Sequence, residues 1–357
     1  MSKRVQNALY GMVLLTANLR LFDNTNVTTQ TSPGSDLSPE MKTYYSDYLI
    51  DNAVPKLVHD QFGQKHPIPK NGGKTIEFRK YSPLAKATTA LTEGVTPSGK
   101  KLNVSTVTAT VAQYGDYIEL SDVLLLTAID NNLVQATKLL GAQAGATLDT
   151  ITREVLNGGT NVQYAEGQVT ARANLVGGSA ADGDNHYMSV KAIRLGVRFL
   201  KNQNAEQIDG SWVGIIHPDV SYDLMSDPEW KYPHQYVDTE NIYEGEIGKI
   251  AGVRFVETTE AKKWANAAKS KATGTEVAST RDVYSTLLLG ANAYGVTEVE
   301  GGGLQHIVKQ LGSAGTADPL NQRATAGWKA IKTAERLVEQ FMLRIETTST
   351  FSDGVAN

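Results

Sequence analysis

Hydrophobic and polar positions change period several times along this chain, and each change marks an element. Over Pro39 to Gly63 the residues Met41, Tyr44, Tyr45, Tyr48, Leu49, Ala53, Leu57 and Val58 recur at helical spacing. Ser38-Pro39-Glu40-Met41 is a good helix start, and Pro55 is placed to kink or divide the helix. After Asn71-Gly72-Gly73 the run Thr75 to Tyr81 alternates as a strand. From Ser121-Asp122 an apolar stripe through Leu126, Ile129, Leu133, Ala136, Leu140, Ala144, Leu148, Ile151 and Val155 predicts a helix that stops at Asn157-Gly158-Gly159. About 36 residues at 1.5 Å each would make it on the order of 50 Å long, a spine rather than an ordinary globular helix.

Between strand and spine lies a polar, alternating stretch. Thr88 to Thr92 leads into a tip marked by Glu93, Gly94, Pro97 and Gly99, followed by Lys100 and Lys101. The return limb, Lys101 to Glu119, puts Leu102 and Val104 on one phase and Val107, Ala109 and Val111 on the other, which predicts a bend near Ser105-Thr106. A two-stranded ribbon standing alone is marginal in water and leaves open edges, so such an arm expects a neighbouring chain to cover it. The same alternation also fits a hairpin inside a compact sheet.

The rest of the chain alternates helix and strand. Residues 160–184 read as an irregular connection, 188–201 as an amphipathic helix, and Trp212 to Ile216 as a strand running into a helix start at Pro218. Strands are expected at Val253 to Glu257, Tyr284 to Leu289, Trp328 to Ile331 and Phe341 to Ile345, with Ala261 to Thr280 a surface insertion. Residues 1–40, rich in Asn, Thr, Ser and Gln, read as an arm ordered only against something else.

Composition narrows the function classes. With 357 residues, 41% of them hydrophobic, the chain can build an ordinary core. A formal charge of −4 argues against nucleic-acid binding as its main business. The absence of cysteine excludes disulfides, thiolate zinc sites and cysteine nucleophiles. Lys3 and Arg4 before Met12-Val13-Leu14-Leu15 mimic a secretory signal, but Asn18 and Arg20 break the run and no cleavage site follows. No window reaches the roughly 20 apolar residues of a membrane span. The chain thus reads as soluble and made in the cytoplasm.

Candidate chemistry resolves into turns. Asn71-Gly72-Gly73-Lys74-Thr75 resembles the end of a phosphate loop, yet Ile68 stands where the first glycine belongs and a strand follows where a helix should. Asp182-Gly183-Asp184-Asn185 lacks the spacing and closing Glu of a calcium loop. His59, His66, His186, His217, His234 and His306 are scattered, and Gly301-Gly302-Gly303 lacks a dinucleotide-binding context. No catalytic pair, metal site or cofactor site is read from the residues.

The order of parts carries a resemblance. Asp116-Tyr117-Ile118-Glu119-Leu120-Ser121-Asp122, Trp212 to Asp219, Gly248 to Thr258, Leu289-Gly290-Ala291-Asn292-Ala293-Tyr294-Gly295 and Asp318 to Arg323 with Gly327-Trp328-Lys329 occur in sequence. Over about Tyr44 to Thr347 the chain resembles the major capsid proteins of tailed bacteriophages, of the branch typified by phage N-four, whose α+β fold is named after phage Hong Kong 97. The resemblance implies an N-terminal arm (1–40), a helix and strand of a peripheral domain (41–82) and an extended loop (83–120). It implies further a spine helix and connection in the peripheral domain (121–186), an axial domain (187–315) and a C-terminal return to the peripheral domain (316–357). It implies hexamers and pentamers of one chain forming an icosahedral shell around double-stranded DNA without sequence-specific binding or a membrane. The bacterial cytoplasm would be the place of assembly, with portal, scaffolding and decoration proteins as further partners. The arm residues Glu93, Gly94, Pro97, Gly99, Lys100, Lys101, Val104 and Val107, and the spine residues Leu126, Ile129, Leu133, Leu140 and Ile151, then become candidate assembly and framework positions. Some members of the fold crosslink through Lys and Asn; Lys100 or Lys101 would be the donor, but nothing in the sequence identifies an acceptor.

Two other classes stay in view. An enzyme with a metal or carboxylate site built from distant segments would need converging polar groups in a pocket. An exported adhesin or surface-layer protein would need a working signal.

Overall fold

The structure, a computed structural model, describes residues 58–82, 84–127, 132–179, 184–230, 246–271, 276–313 and 318–357. The expected arm over 1–40 and most of the helix expected over Pro39 to Gly63 lie outside them. The described end of that helix, 58–63, forms turns instead, and the His59 and Asp60 carboxylate and imidazole groups are drawn into side-chain bonds with the spine.

In chain order, β1 (Gln64–Lys65) is followed by a turn in which Asn71 (φ 67°) and Gly73 (φ 90°) adopt the left-handed conformation that Asn and Gly tolerate best. This turn feeds β2 (Thr75–Tyr81), so the phosphate-loop lookalike is a glycine turn into a strand. Next come β3 (Val104–Thr110), β4 (Ala112–Ser121), α1 (Asp122–Thr127) and α2 (Asn132–Asn157). β5 (Val162–Tyr164) and β6 (Val176–Gly177) punctuate the irregular connection. α3 (Val190–Asn202) starts at Ser189, whose side chain accepts from Ala192 N. β7 (Trp212–Ile216) runs into α4 (Pro218–Ser226), capped by His217 with proline at the first position, as the residues predict. The remaining strands are β8 (Glu246–Ile250), β9 (Val253–Glu257), β10 (Lys263–Ser270), β11 (Val277–Leu289), β12 (Tyr294–Glu298), β13 (Gln305–Lys309), β14 (Arg323–Arg336) and β15 (Met342–Thr347).

These strands form two larger sheets and a separate ribbon. The 14-residue β14 organises a five-stranded sheet: β4 lies along one edge over Arg323 to Lys332, while β13 and then β12 share the other, and β1 adds parallel to β12. An eight-stranded mixed sheet runs β5-β15-β11-β7-β9-β8, with β10 beside β11 and β6 beside β10. α3 and α4 cover one face of it, where Ile193, Val197, Leu200, Val220 and Leu224 meet Ile216, Phe255 and Leu288. The opposite face presents Val213, Ile215, Leu287 and Leu289 to Leu156, Tyr294 and Val296. Being covered on both faces, β7 buries all five residues, hence its unbroken apolar reading. Gly196 lets α3 approach closely, since a Cβ there would lie 2.6 Å from Leu288 Cδ1.

Sheet membership divides the chain elsewhere than at 187 and 315. β5, β6 and the C-terminal β15 belong to the eight-stranded sheet, whereas β12 and β13, inside the stretch 187–315, belong to the five-stranded one. Strand partners are chosen by long-range pairing, which chain order does not encode. The expected surface insertion over Ala261 to Thr280 is a correction of the same kind. Its first part is β10, with Ala261 and Ala268 buried and the Lys263 stem covered, its ammonium 2.8 Å from Asp353. Small and long amphipathic side chains disguised a strand as a loop.

Candidate assembly interface

The ribbon is built from β2 and β3, which pair without a break from Thr75 opposite Thr110 to Tyr81 opposite Val104. Ser82 N donates to Asn103 O at 3.0 Å and closes the ladder. No bulge therefore interrupts the ladder near Ser105-Thr106, where the slip in alternation placed a bulge or bend. The interruption lies at Val111, between β3 and β4, where the buried Val111 donates its N–H to Lys74 O at 3.0 Å. β3 leaves the body there, so the phase of its outer half has no core to answer to. The ribbon also begins earlier than the expected loop, at Thr75 rather than 83, and β4, the last part of the expected return limb, is a body strand.

Every described residue over 84–106 is exposed. Glu93, Gly94, Pro97, Gly99, Lys100 and Lys101 all lie in this stretch, and Gly94 (φ 77°) sits in a turn closed by Val95 N to Thr92 O. Val104 is 47% exposed, while Val107 is half-buried nearer the root. Leu84, Leu91, Val95 and Leu102 expose 58–76% of their surface, a density of bare large apolar side chains unusual for one loop. Five Lys or Arg oppose two Glu over 75–110, a net positive segment on a net negative chain. The ribbon is tied to the body by the edge-on rings of His66 and Phe78, 5.4 Å apart, and, nearer its outer end, by Lys80 Nζ donating to Gln340 Oε1.

The spine carries the ribbon's mount. In α2, Ala136, Leu140 and Ala144 are buried against Ala326, Trp328 and Ala330 of β14, with Leu133 and Leu148 packed beside them. Ile151 is half-buried, Ile129 lies outside the described residues, and Leu126 is 82% exposed. The buried stripe therefore does not extend to Leu126, because α1 flanks the sheet's end and leaves Val123 and Leu124 open as well. Toward its C-terminus the buried face turns polar, with Asp149, Thr152 and Arg153 replacing the expected Ile151 and Val155. His59 Nδ1 lies 2.6 Å from Asp149 Oδ2, Thr152 Oγ1 donates to Asp60 Oδ1 at 2.5 Å, and Lys332 Nζ donates to Asp60 and to Leu148 O. Arg153 reaches Glu154 and Glu260. The spacing i, i+3, i+4 of Asp149, Thr152 and Arg153 was the available sequence signal for this face.

On the other side of the five-stranded sheet, a 410 Å³ groove is lined by Gly115, Tyr117, Ile307, Lys309, Thr325 and Gly327, among others. Tyr117 is 65% exposed at its rim. Gln143 and the Tyr117 N–H donate to Asp116 from the helix side and hold its carboxyl below the usual range.

Titratable groups gather elsewhere, where the C-terminal segment straps onto the eight-stranded sheet. Burial pushes the His217 imidazole below its ordinary value, and Nδ1 accepts from Asp219 N. Burial and the Asp219 carboxylate push the Tyr284 phenol up; its hydroxyl donates to Asp219 Oδ2 at 2.7 Å. Lys263 holds Asp353 at about 2. Ser221 donates to Glu257 and Pro218 O rather than facing His217, so these groups fasten the strap. Among the described residues no cluster of three or more His, Asp or Glu is arranged to hold a metal ion, and no helix is long and apolar enough to cross a membrane.

A family model described as phage capsid protein matches residues 126–312, just over half of the chain. The fold is similar to the capsid of Ralstonia phage GP4, with a TM-score of 0.65 and 15% identity over 94% of this chain and 100% of that one. Cyanophage Pam1 gives a TM-score of 0.65 and 12% identity over 91% and 100%. The capsid structure of cyanophage P-SCSP1u gives 0.62 and 12% over 90% and 96%. No curated protein matches in sequence.

Proposed function

The chain belongs to the phage capsid protein family, and from that premise we infer that it builds a shell by lending its ribbon to neighbouring copies. It is a structural protein of the virion, a major capsid protein with the Hong Kong 97-like α+β fold, and not an enzyme. The observation that carries the assembly reading is the bare stretch 84–106 with Leu84, Leu91, Val95 and Leu102 uncovered by their own subunit. Burying each of these side chains on a neighbour would stabilise the contact by about 1–2 kcal/mol. Repeated around a closed shell, modest contacts of this size give a stable particle through multivalency.

In this reading the five-stranded sheet with α2 is the peripheral domain and the eight-stranded sheet with α3 and α4 is the axial domain. Subunits gather as hexamers and pentamers, enclose double-stranded DNA, and assemble in the bacterial cytoplasm with portal, scaffolding and decoration proteins as partners. Glu93, Gly94, Pro97, Gly99, Lys100, Lys101, Val104 and Val107 are the assembly residues, and the net positive ribbon favours a net negative landing surface. Expression of the chain followed by negative-stain electron microscopy and sedimentation tests this. Closed particles are expected; protein that stays monomeric under all assembly conditions would count against it.

A further inference from the structure

Helix α3 presents a single row of cations that neither the core nor the ribbon accounts for. Its inward residues, Ala192, Ile193, Gly196, Val197 and Leu200, are buried on the eight-stranded sheet. Its outward residues at the i, i+3, i+7, i+10 positions are Lys191, Arg194, Arg198 and Lys201, all exposed, and the helix contains no Asp or Glu. The neighbouring helix α4 shows a different surface, with Tyr222 and Met225 exposed. On a chain of formal charge −4, four like charges in one row are a local departure from the whole.

We propose that this row is a phosphate-contacting surface for the enclosed double-stranded DNA; the inference rests on the shell reading above. Ten residues of helix span about 15 Å, a length over which duplex DNA presents on the order of nine phosphate charges. Lys191 and Arg194 are paired with Glu166 and Glu229, at 2.6 and 2.9 Å, but both cations keep more than half of their side-chain surface in solvent. The Arg194–Glu229 pair is exposed on both sides and therefore weak, whereas Glu166 is 21% exposed and also accepts from Ser189, so it holds Lys191 more firmly. Arg198 and Lys201 have no ion pair among the described residues; the Lys201 ammonium lies 5.7 Å from the Trp212 ring centroid. Between Lys191 and Lys201 there is no Asn or Gln to read an adenine edge, and cations lined along one helix face suit the phosphate oxygens, which carry no sequence information. That suits a container whose contents vary along their length.

The test measures binding of a labelled duplex of about 20 base pairs to the unassembled full chain by fluorescence anisotropy, across a salt series. Reversing two contacts in Arg198→Glu with Lys201→Glu is expected to lower the magnitude of the log–log salt slope by about 2, with affinity at about 50 mM salt falling on the order of a hundredfold. Arg198→Gln with Lys201→Gln, gentler on folding, is expected to lose less and to keep the circular dichroism spectrum of the parent. A control away from both the row and the ribbon, Lys65→Glu with Lys70→Glu, both exposed, is expected to leave DNA binding unchanged. Wild-type binding by both α3 variants, or an equal loss in the control away from the row, would overturn the proposal. So would α3 variants that bind DNA normally but no longer form particles, since the row would then be a contact between copies. Failure of the wild-type chain to form particles under any condition is a separate result and bears on the shell reading itself.

Discussion

Excising the bare loop separates the ribbon's proposed role in assembly from any role in folding. Because Ser82 N already donates to Asn103 O at 3.0 Å, next to the Tyr81–Val104 pair, the strand ends are adjacent. Residues 83–102 can therefore be replaced by an Asn-Gly turn that suits a two-residue hairpin. No described side chain within that stretch is buried, so the subunit loses no core packing. Shortening a loop of about twenty residues to two removes closure entropy of about 2 kcal/mol, so the isolated subunit should be as stable as the parent or slightly more so. Assembly should suffer. Leu84, Leu91, Val95 and Leu102 together represent about 4–8 kcal/mol of burial per contact, from which side-chain ordering subtracts about 0.5–1.5 kcal/mol each. Thermal melts by circular dichroism read the first effect, and sedimentation with electron microscopy reads the second. A fall in Tm of more than about 5 °C would show the loop to be part of the subunit's own core, and normal particles would show that neighbours do not need it. A cut extended to Tyr114 would not be a clean test, because Ala112 to Tyr114 pair with β14.

Other substitutions probe the mount. Gly115→Ala places a Cβ 2.6 Å from the Trp328 carbonyl oxygen across a paired strand, where no rotamer can relieve it; a loss of about 1–3 kcal/mol is expected in urea unfolding, and an unchanged midpoint would contradict the packing. Leu140→Ala should cost about 2–5 kcal/mol because Leu140 is 2% exposed against Ala326 and Trp328. Leu126→Ser should stay within about 0.5 kcal/mol in the unassembled subunit, and equal effects at the two sites would restore the longer stripe. Burial holds His217 below its ordinary value of 6.5 despite the nearby Asp219, Asp353 and Glu257 carboxylates. The unfolded chain therefore binds this proton more readily than the folded one. The contribution to stability is full above the ordinary imidazole range and is lost as pH falls through the lower folded value. Tm should drop between about pH 7.5 and 5, with a flatter profile in His217→Gln; identical profiles would remove His217 from the account.

Local elements were legible wherever a residue pattern answered to a local cause. Pro218 behind His217 marks a helix start because proline suits the first turn, and Asn71-Gly72-Gly73 marks a turn because its backbone enters the left-handed region. The ribbon was legible as a stretch without a core, but its bend was not. Alternation locates a bend only when one face is buried, and beyond Val107 neither face of β3 is. β10 was hidden because Lys263 is buried through its stem and satisfied by Asp353, ninety residues away. Among the residues proposed for assembly, the tip glycines and lysines follow from composition, whereas the bare leucines gain meaning only once the fold leaves them uncovered.

The spine's polar end explains why one helix can serve two sheets. Its N-terminal half is fastened to β14 by Ala136, Leu140 and Ala144, and at the other end Leu156 enters the cluster with Val213, Ile215 and Leu287 of the eight-stranded sheet. Between these apolar grips, Asp149, Thr152 and Arg153 meet His59, Asp60 and Glu260, while Lys332 of β14 reaches Asp60 and the Leu148 carbonyl. The apolar grips set how closely α2 lies on each sheet. The polar bonds add direction, since displacing the fully buried His59–Asp149 pair would strand both groups without water. The network joins the segment entering from residue 58, the spine and β14 at one place. If the ribbon binds a neighbour as proposed, the load would pass through β3 and β4 into β14, with which β4 pairs over ten residues, and the polar collar is placed to hold α2 in register with it.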